Sequence, residues 1–284
     1  MAISLDSFEK KREFLVCVDS DGCAMDTMDI KHIRCFGPCM VDEWSLEKWE
    51  SAILSRWNEI NLYTLTRGIN RFKALFTALW EINEKYTEIK ELDALKKWVE
   101  NSDELSNNSL KREIEKNPDA VSLKKALSWS ISVNENISKL PESEKKPFEM
   151  AKEALEFAHG RADIAIVSSA NRDAVLEEWS KFGLLEHTDI VLSQDAGSKA
   201  FCIGELIKKG YERDKIVMCG DAPGDMDAAD KNGVFFYPIL VKKEKESWQE
   251  FITTGLKKLI MGDFMGEYQD NKKSEFLKNL GKDN

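Results

Sequence analysis

No stretch of the 284-residue chain comes near the ~20 consecutive apolar residues that a membrane-spanning helix needs. The first residues, MAISLDSFEKKREF, lack the apolar centre of a secretory signal peptide. Metal-site cysteine spacing is missing too. Of the six cysteines, at 17, 23, 35, 39, 202 and 219, only Cys35 and Cys39 form a close pair, and no second pair complements it. Cys17 and Cys219 sit inside apolar runs, where cysteine serves as a small buried hydrophobe. These absences lead to the expectation of a cytoplasmic protein with reduced thiols and no membrane segment. Positive charge is in short supply: 41 Lys and Arg face 51 Asp and Glu, a net charge of −10. That balance excludes the basic footprint of a nucleic-acid or anionic-membrane binder. It leaves room for a small anionic ligand, for which one local positive cluster suffices. No internal repeat or low-complexity tract is present.

What is there suits a globular α/β protein. Hydrophobic residues make up 42% and charged residues 32%, enough for a sizeable core under a well-solvated surface. The length fits one large domain, or a core with one inserted domain. Short apolar runs end in turn chemistry at 14–18 (FLVCV), 163–167 (DIAIV) and 215–219 (KIVMC), with a weaker run at 189–193. A fifth, 234–240, contains Pro238 and belongs near a sheet edge. Helices are predicted over 147–158 after Pro147, over 171–182 from Asn171 to Gly183, over 198–209 from Ser198 to Gly210, and over 225–231 before Asn232-Gly233. Near-continuous strands alternating with helices read as a Rossmann-like parallel sheet covered on both faces.

The first strand stands apart from the rest by about 140 residues without a strand signal. Within them, 44–62 and 69–86 carry apolar residues at helical spacing, and breaks fall at 101–109, 117–119 and 141–143. Six of the eight tryptophans lie before residue 130, and they read as a core. The expectation is an inserted all-α domain over 28–143, interrupting a core made of 1–27 and 144–284. The polar, Lys-rich tail, 262–284, reads as a fraying end.

Ligands of open α/β sheets bind outside the carboxyl ends of the strands. The first strand delivers Asp19 and Asp21 there, the second Ser168 and Ser169, and the run ending at 219 delivers Asp221, with Asp225 four residues on. Lys199 opens the helix after the 189–193 run. Four clustered carboxylates cannot all stay ionised without cations. A hard divalent ion such as Mg²⁺, together with Lys199, would neutralise the site and favour a phosphate group. Asp19 and Asp21, two apart at a strand end, point to the same side. One can attack phosphorus and the other can move the protons. Gly22 permits a sharp turn that brings backbone N–H groups toward a phosphate. Asp227, Asp230, His159 and His187 read as solvated surface residues.

The motifs 19-DSDG-22, Ser168, Lys199 and 220-GDAPGD-225 resemble, in order, the four motifs of the haloacid dehalogenase superfamily. The helical stretch after the first motif resembles that family's C1-type cap. The resemblance implies Asp19 as nucleophile and Asp21 as general acid/base. It implies that Asp19, the backbone carbonyl of Asp21, Asp221 and Asp225 hold Mg²⁺, and that Ser168 and Lys199 bind the phosphoryl group, with Ser169 a competing assignment. Cys23 stands where the family more often has Thr or Val. Lys31, with His32 beside it, falls where the phosphomutase branch carries His. In the insertion, Arg67 and Arg71 lie four apart and, if helical, would face one ligand. Arg67, Arg71, Lys31 and His32 are the candidate substrate contacts.

The expected function is a Mg²⁺-dependent phosphatase of a small phosphorylated metabolite, a sugar phosphate ahead of a nucleotide or a phosphoglycolate-type acid. The alternatives are a phosphomutase with the same aspartyl-phosphate and a non-catalytic ligand-binding protein of the same fold. Monomer or homodimer stays open.

Overall fold

The computed structural model describes residues 5–281. The chain divides into two compact units: one comprises residues up to Met28 and from Glu142 onward, the other Asp29–Pro141. The first unit opens with β1 (Phe14–Val18), buried along its whole length, and a two-residue strand, β2 (Met25–Asp26).

The chain then turns helical. α1 (Met28–Lys31) and α2 (Gly37–Trp44) are joined by a π turn at His32–Phe36. That wide turn lies just before Pro38, which has no N–H to donate and whose ring would crowd an ordinary turn. Ser45, in the left-handed conformation at φ 54°, ends α2. The single helix expected over 44–62 is therefore divided, with α3 (Glu50–Asn58) running into a second π turn at Glu59–Tyr63. α4 (Arg71–Lys85), α5 (Leu92–Asn101), α6 (Asn107–Lys116) and α7 (Val121–Ser138) complete the unit. Its core is aromatic: Trp57, Trp98 and Trp129 are buried with Phe36 and Phe72. Ring centroids lie 5.0 Å apart for Phe72 and Trp98 and 6.1 Å for Trp57 and Trp129, both edge-on, as aromatic quadrupoles prefer.

After the insertion come β3 (Lys146–Pro147), α8 (Ala151–His159), β4 (Ala162–Val167), α9 (Arg172–Lys181), β5 (Ile190–Leu192), α10 (Lys199–Lys208), β6 (Ile216–Gly220), α11 (Pro223–Asn232) and β7 (Phe235–Pro238). α12 (Glu244–Glu250), α13 (Leu256–Met261) and α14 (Glu267–Asn279) follow. Five parallel strands form one sheet in the order β5-β4-β1-β6-β7. β1 is central, and the Pro-containing β7 is at an edge, as its proline requires. Asn171 and Ser198 cap α9 and α10 with their side-chain oxygens. The helix expected from Pro147 starts instead at Ala151. Pro147 pairs with Met25 across β2 and β3, and Phe148 donates its N–H to Ala24, which keeps this segment extended.

The tail does not fray within the described residues: α14 packs on the edge of the sheet. Gln269 takes the N–H of Phe236 and donates to its carbonyl, and Asn279 does the same for Val241. Phe276 meets Phe236 edge-on at 5.1 Å. Gln269 thus occupies backbone groups that the edge strand otherwise presents to other chains, and Asn279 does so for the turn that follows it. At the opposite edge Arg172 donates to the carbonyl of Val191 in β5. All six cysteines are buried and free. Burial pushes the thiols of Cys35 and Cys202 up to about 11, so they stay protonated and inert. Among the described residues no helix is long and apolar enough to cross a membrane.

Candidate active site

The chain leaves β1 toward β4 on one side and leaves the neighbouring β6 toward β7 on the other, and this divergence opens a crevice at the carboxyl ends of β1 and β6. The register fixes what meets there. Val18 is level with Ile166 in β4 and with Cys219 in β6. Two residues beyond these positions come Ser20, Ser168 and Asp221, with Asp19 and Asp21 on either side of Ser20. Asp19 donates its N–H to the carbonyl of Cys219 (3.0 Å), and Ser168 donates its own to Leu192 (2.9 Å), so the strand ends are tied to one another.

Charge converges on this rim. Lys199 Nζ lies 2.7 Å from Asp19 Oδ2 and 2.5 Å from Asp225 Oδ1. Asp221 and Asp225 are fully buried and Asp19 nearly so. The carboxylates of Asp19, Asp221 and Asp225 offer oxygens that lie within 4.8 Å of one another. An all-oxygen, anionic donor set at that spacing fits a hard divalent cation. Burial pushes the Asp19 carboxyl up to about 6 against the pull of Lys199, and Asp225 adds to the rise. Burial also works against the charge of Lys199, but its two carboxylate partners outweigh it and hold the ammonium above the ordinary lysine value. Asp225 is the third residue of α11, and its Oδ2 accepts the N–H of Ala222, where the helix dipole favours an anion.

Its place requires a glycine behind it. A Cβ on Gly220 would sit 2.3 Å from Asp225 Cγ, with no room to yield. Gly220→Ala is expected to displace Asp225, cost about 1–3 kcal/mol by overpacking, and weaken divalent-cation binding. Thermal unfolding and calorimetric metal titration check both effects.

Gly22 has φ 82°, a conformation that favours glycine. Its N–H donates to Met25 (2.8 Å), however, and those of Cys23, Ala24 and Met25 all reach the Ser20 carbonyl. Gly22 makes the sharp turn expected of it, and its own donor is used in closing that turn. Ser168 is buried, and its hydroxyl accepts from Ala170 N–H, whereas Ser169 is exposed.

Three residues that the sequence did not single out hold this turn. The buried Thr27 hydroxyl donates to Asp21 Oδ1 at 2.6 Å. The indole N–H of Trp179 reaches Ser20 Oγ at 2.9 Å, and that of Trp248 reaches the Cys23 carbonyl at 3.0 Å. Cys23 itself is buried, and its thiol lies 3.4 Å from the Cys219 carbonyl. The only sequence signal was an unassigned Thr eight residues after Asp19 and two tryptophans outside the insertion.

In the helical unit, Arg67 and Arg71 do not share a helix. Asn70 accepts the N–H of Phe72 and caps α4, so the helix starts at Arg71 and Arg67 stays in the preceding turn. Arg67 is buried, donates to the Leu62 carbonyl (2.7 Å) and lies 4.0 Å from Asp29. Arg71 donates to Ser130 Oγ and Asn134 Oδ1 and lies over the Phe36 ring, and burial lowers its pKa to about 10. The His32 ring stacks on Phe36 at 4.6 Å, and Lys31 is buried.

A family model described as haloacid dehalogenase-like hydrolase matches residues 69–239. The span includes Ser168, Lys199, Asp221 and Asp225, while Asp19 and Asp21 precede it. Among solved structures, a candidate phosphoglycolate phosphatase from Lactobacillus delbrueckii subsp. bulgaricus is 12% identical with TM-score 0.51, over 80% of this chain and 86% of that one. A candidate β-phosphoglucomutase from Thermotoga maritima is 16% identical with TM-score 0.44, over 79% and 84%. A haloacid dehalogenase-like family protein from Streptococcus pneumoniae is 11% identical with TM-score 0.43, over 83% and 90%. No curated protein matches the chain.

Proposed function

The chain belongs to the haloacid dehalogenase-like hydrolases, and from that premise we propose that it is a Mg²⁺-dependent phosphatase of a small phosphorylated metabolite, with a sugar phosphate the favoured class. The observation that carries this reading is the Asp19 carboxylate. It touches Lys199 and shares a possible cation site with Asp221 and Asp225, with a second carboxyl, Asp21, two residues on.

In this reading Asp19 attacks phosphorus and forms an aspartyl-phosphate as the ester P–O bond breaks. Asp21 protonates the departing oxygen. It then takes a proton from water, which attacks phosphorus and frees Asp19. Lys199 and the Ser168 hydroxyl balance and orient the phosphoryl oxygens. Mg²⁺, held by Asp19, Asp221, Asp225 and the backbone of Asp21, would supply the charge that lets an anionic nucleophile approach an anionic phosphate. The inserted helical unit serves as the cap that selects the substrate. Of its four candidate contacts, Arg71 best suits an anionic or hydroxyl-rich group, since no carboxylate pairs with it among the described residues. Six free thiols fit a reducing, cytoplasmic setting.

The test is phosphate release from a panel of sugar phosphates, nucleotides and phosphoglycolate, with Mg²⁺ and with EDTA. Turnover of at least one phosphomonoester, lost in EDTA, is expected. Interconversion of sugar-phosphate isomers without net phosphate release would replace this reading with a phosphomutase. Ligand binding without either reaction would replace it with a binding protein.

A further inference from the structure

Ser20 lies between the two aspartates of the first motif, and its N–H, carbonyl and hydroxyl are all hydrogen-bonded. Its N–H donates to Asp19 Oδ1 at 2.7 Å. Its carbonyl accepts from Cys23, Ala24 and Met25 at 3.3, 3.0 and 2.9 Å. Its hydroxyl accepts the indole N–H of Trp179 at 2.9 Å. Both side chains are fully buried. A buried indole N–H needs an acceptor, and Ser20 Oγ is the one it has.

Trp179 stands on α9, the helix that begins after Ser168 with Asn171 as its cap. The Trp179–Ser20 bond therefore ties the helix that follows the Ser168 loop to the peptide whose N–H aims the Asp19 carboxylate. We propose that Trp179 and Ser20 form a positioning pair for the nucleophile: the indole fixes the Ser20 peptide, and the Ser20 N–H fixes which Asp19 oxygen is left to react. Neither residue touches substrate; both act through Asp19. Losing the bond frees the peptide to rotate and lets Asp19 sample unproductive rotamers. The effect falls on the reaction step rather than on substrate capture. This inference rests on the aspartyl-phosphate reading above.

The experiment compares wild type, Trp179→Phe, Ser20→Ala and the double variant. The probe is beryllium fluoride with MgCl₂, which mimics a phosphoryl group on a carboxylate and needs no knowledge of the substrate. Fluorine NMR reads its affinity, and circular dichroism and thermal unfolding verify the fold. Each single variant is expected to bind the probe about tenfold more weakly, the size of one lost hydrogen bond. The double variant should be no worse than either single one, since both remove the same bond. On a turned-over substrate, kcat should fall by a similar factor with KM unchanged. Should Trp179→Phe fail to fold, the smaller Ser20→Ala change carries the comparison. Probe affinity within twofold of wild type in both folded single variants, or fully additive losses in the double one, would overturn the proposal while leaving the phosphatase reading intact. A wild-type protein that takes up no probe with Mg²⁺ would overturn that reading and this proposal with it.

Discussion

Asp19→Asn is expected to lower Mg²⁺-dependent phosphate release by at least about 10³-fold, as removal of a covalent nucleophile does, with the fold preserved. The amide has the volume of the carboxylate it replaces. Its one remaining oxygen can still accept from Ser20 N–H, while Lys199 gives up Asp19 but keeps Asp225 as its partner. Only the negative charge goes, and with it the ability to attack phosphorus. The measurement is phosphate release over hours on the best substrate of the panel, beside a thermal unfolding scan. Residual turnover above a tenth of wild type would assign the nucleophile elsewhere.

Lys199→Met is expected to act in two opposite ways. The ammonium bridges Asp19 and Asp225 in a site almost closed to water. Removing one partner of a buried ion pair typically costs about 3–5 kcal/mol, because the remaining charge is left without compensation. The metal-free variant should therefore unfold at a lower temperature. A divalent cation can then take over part of the charge balance that Lys199 gave Asp19 and Asp225, so added Mg²⁺ should raise the unfolding temperature of the variant more than that of wild type. Turnover should nevertheless fall by about 10²-fold or more, since the phosphoryl oxygens lose a fixed positive charge. Unfolding scans with and without Mg²⁺, paired with kcat, test this opposition. Equal Mg²⁺ shifts in the two proteins would show that lysine and metal do not answer the same charge.

Much of this was legible because it is local. β1, β4 and β6 are largely apolar runs followed directly by Asp19, Ser168 and Asp221, and Asn171 and Ser198 announced their helices by side-chain capping chemistry. What escaped was long-range or polar. The bonds from Trp179 to Ser20 and from Trp248 to Cys23 span 159 and 225 residues of sequence, and nothing in local composition marks them. α14 was missed because its buried face uses Gln269 and Lys272 as well as Phe276, so it carries no plain apolar stripe. Arg67 and Arg71 had helical spacing but were separated by the Asn70 cap, a case of side-chain chemistry overriding periodicity.

The central place of β1 sets an order of assembly. Its neighbours start pairing with it at Ala162 and Ile216, so the strand that leads into Asp19 leaves the ribosome long before either partner exists. At roughly 5–20 residues per second of synthesis, Phe14–Val18 waits on the order of ten seconds for β4. The helical unit, with its own aromatic core, is complete within that interval. The chain thus finishes its helical insertion first and its parallel sheet last, and an apolar strand stays unpaired in the nascent protein until the second half arrives.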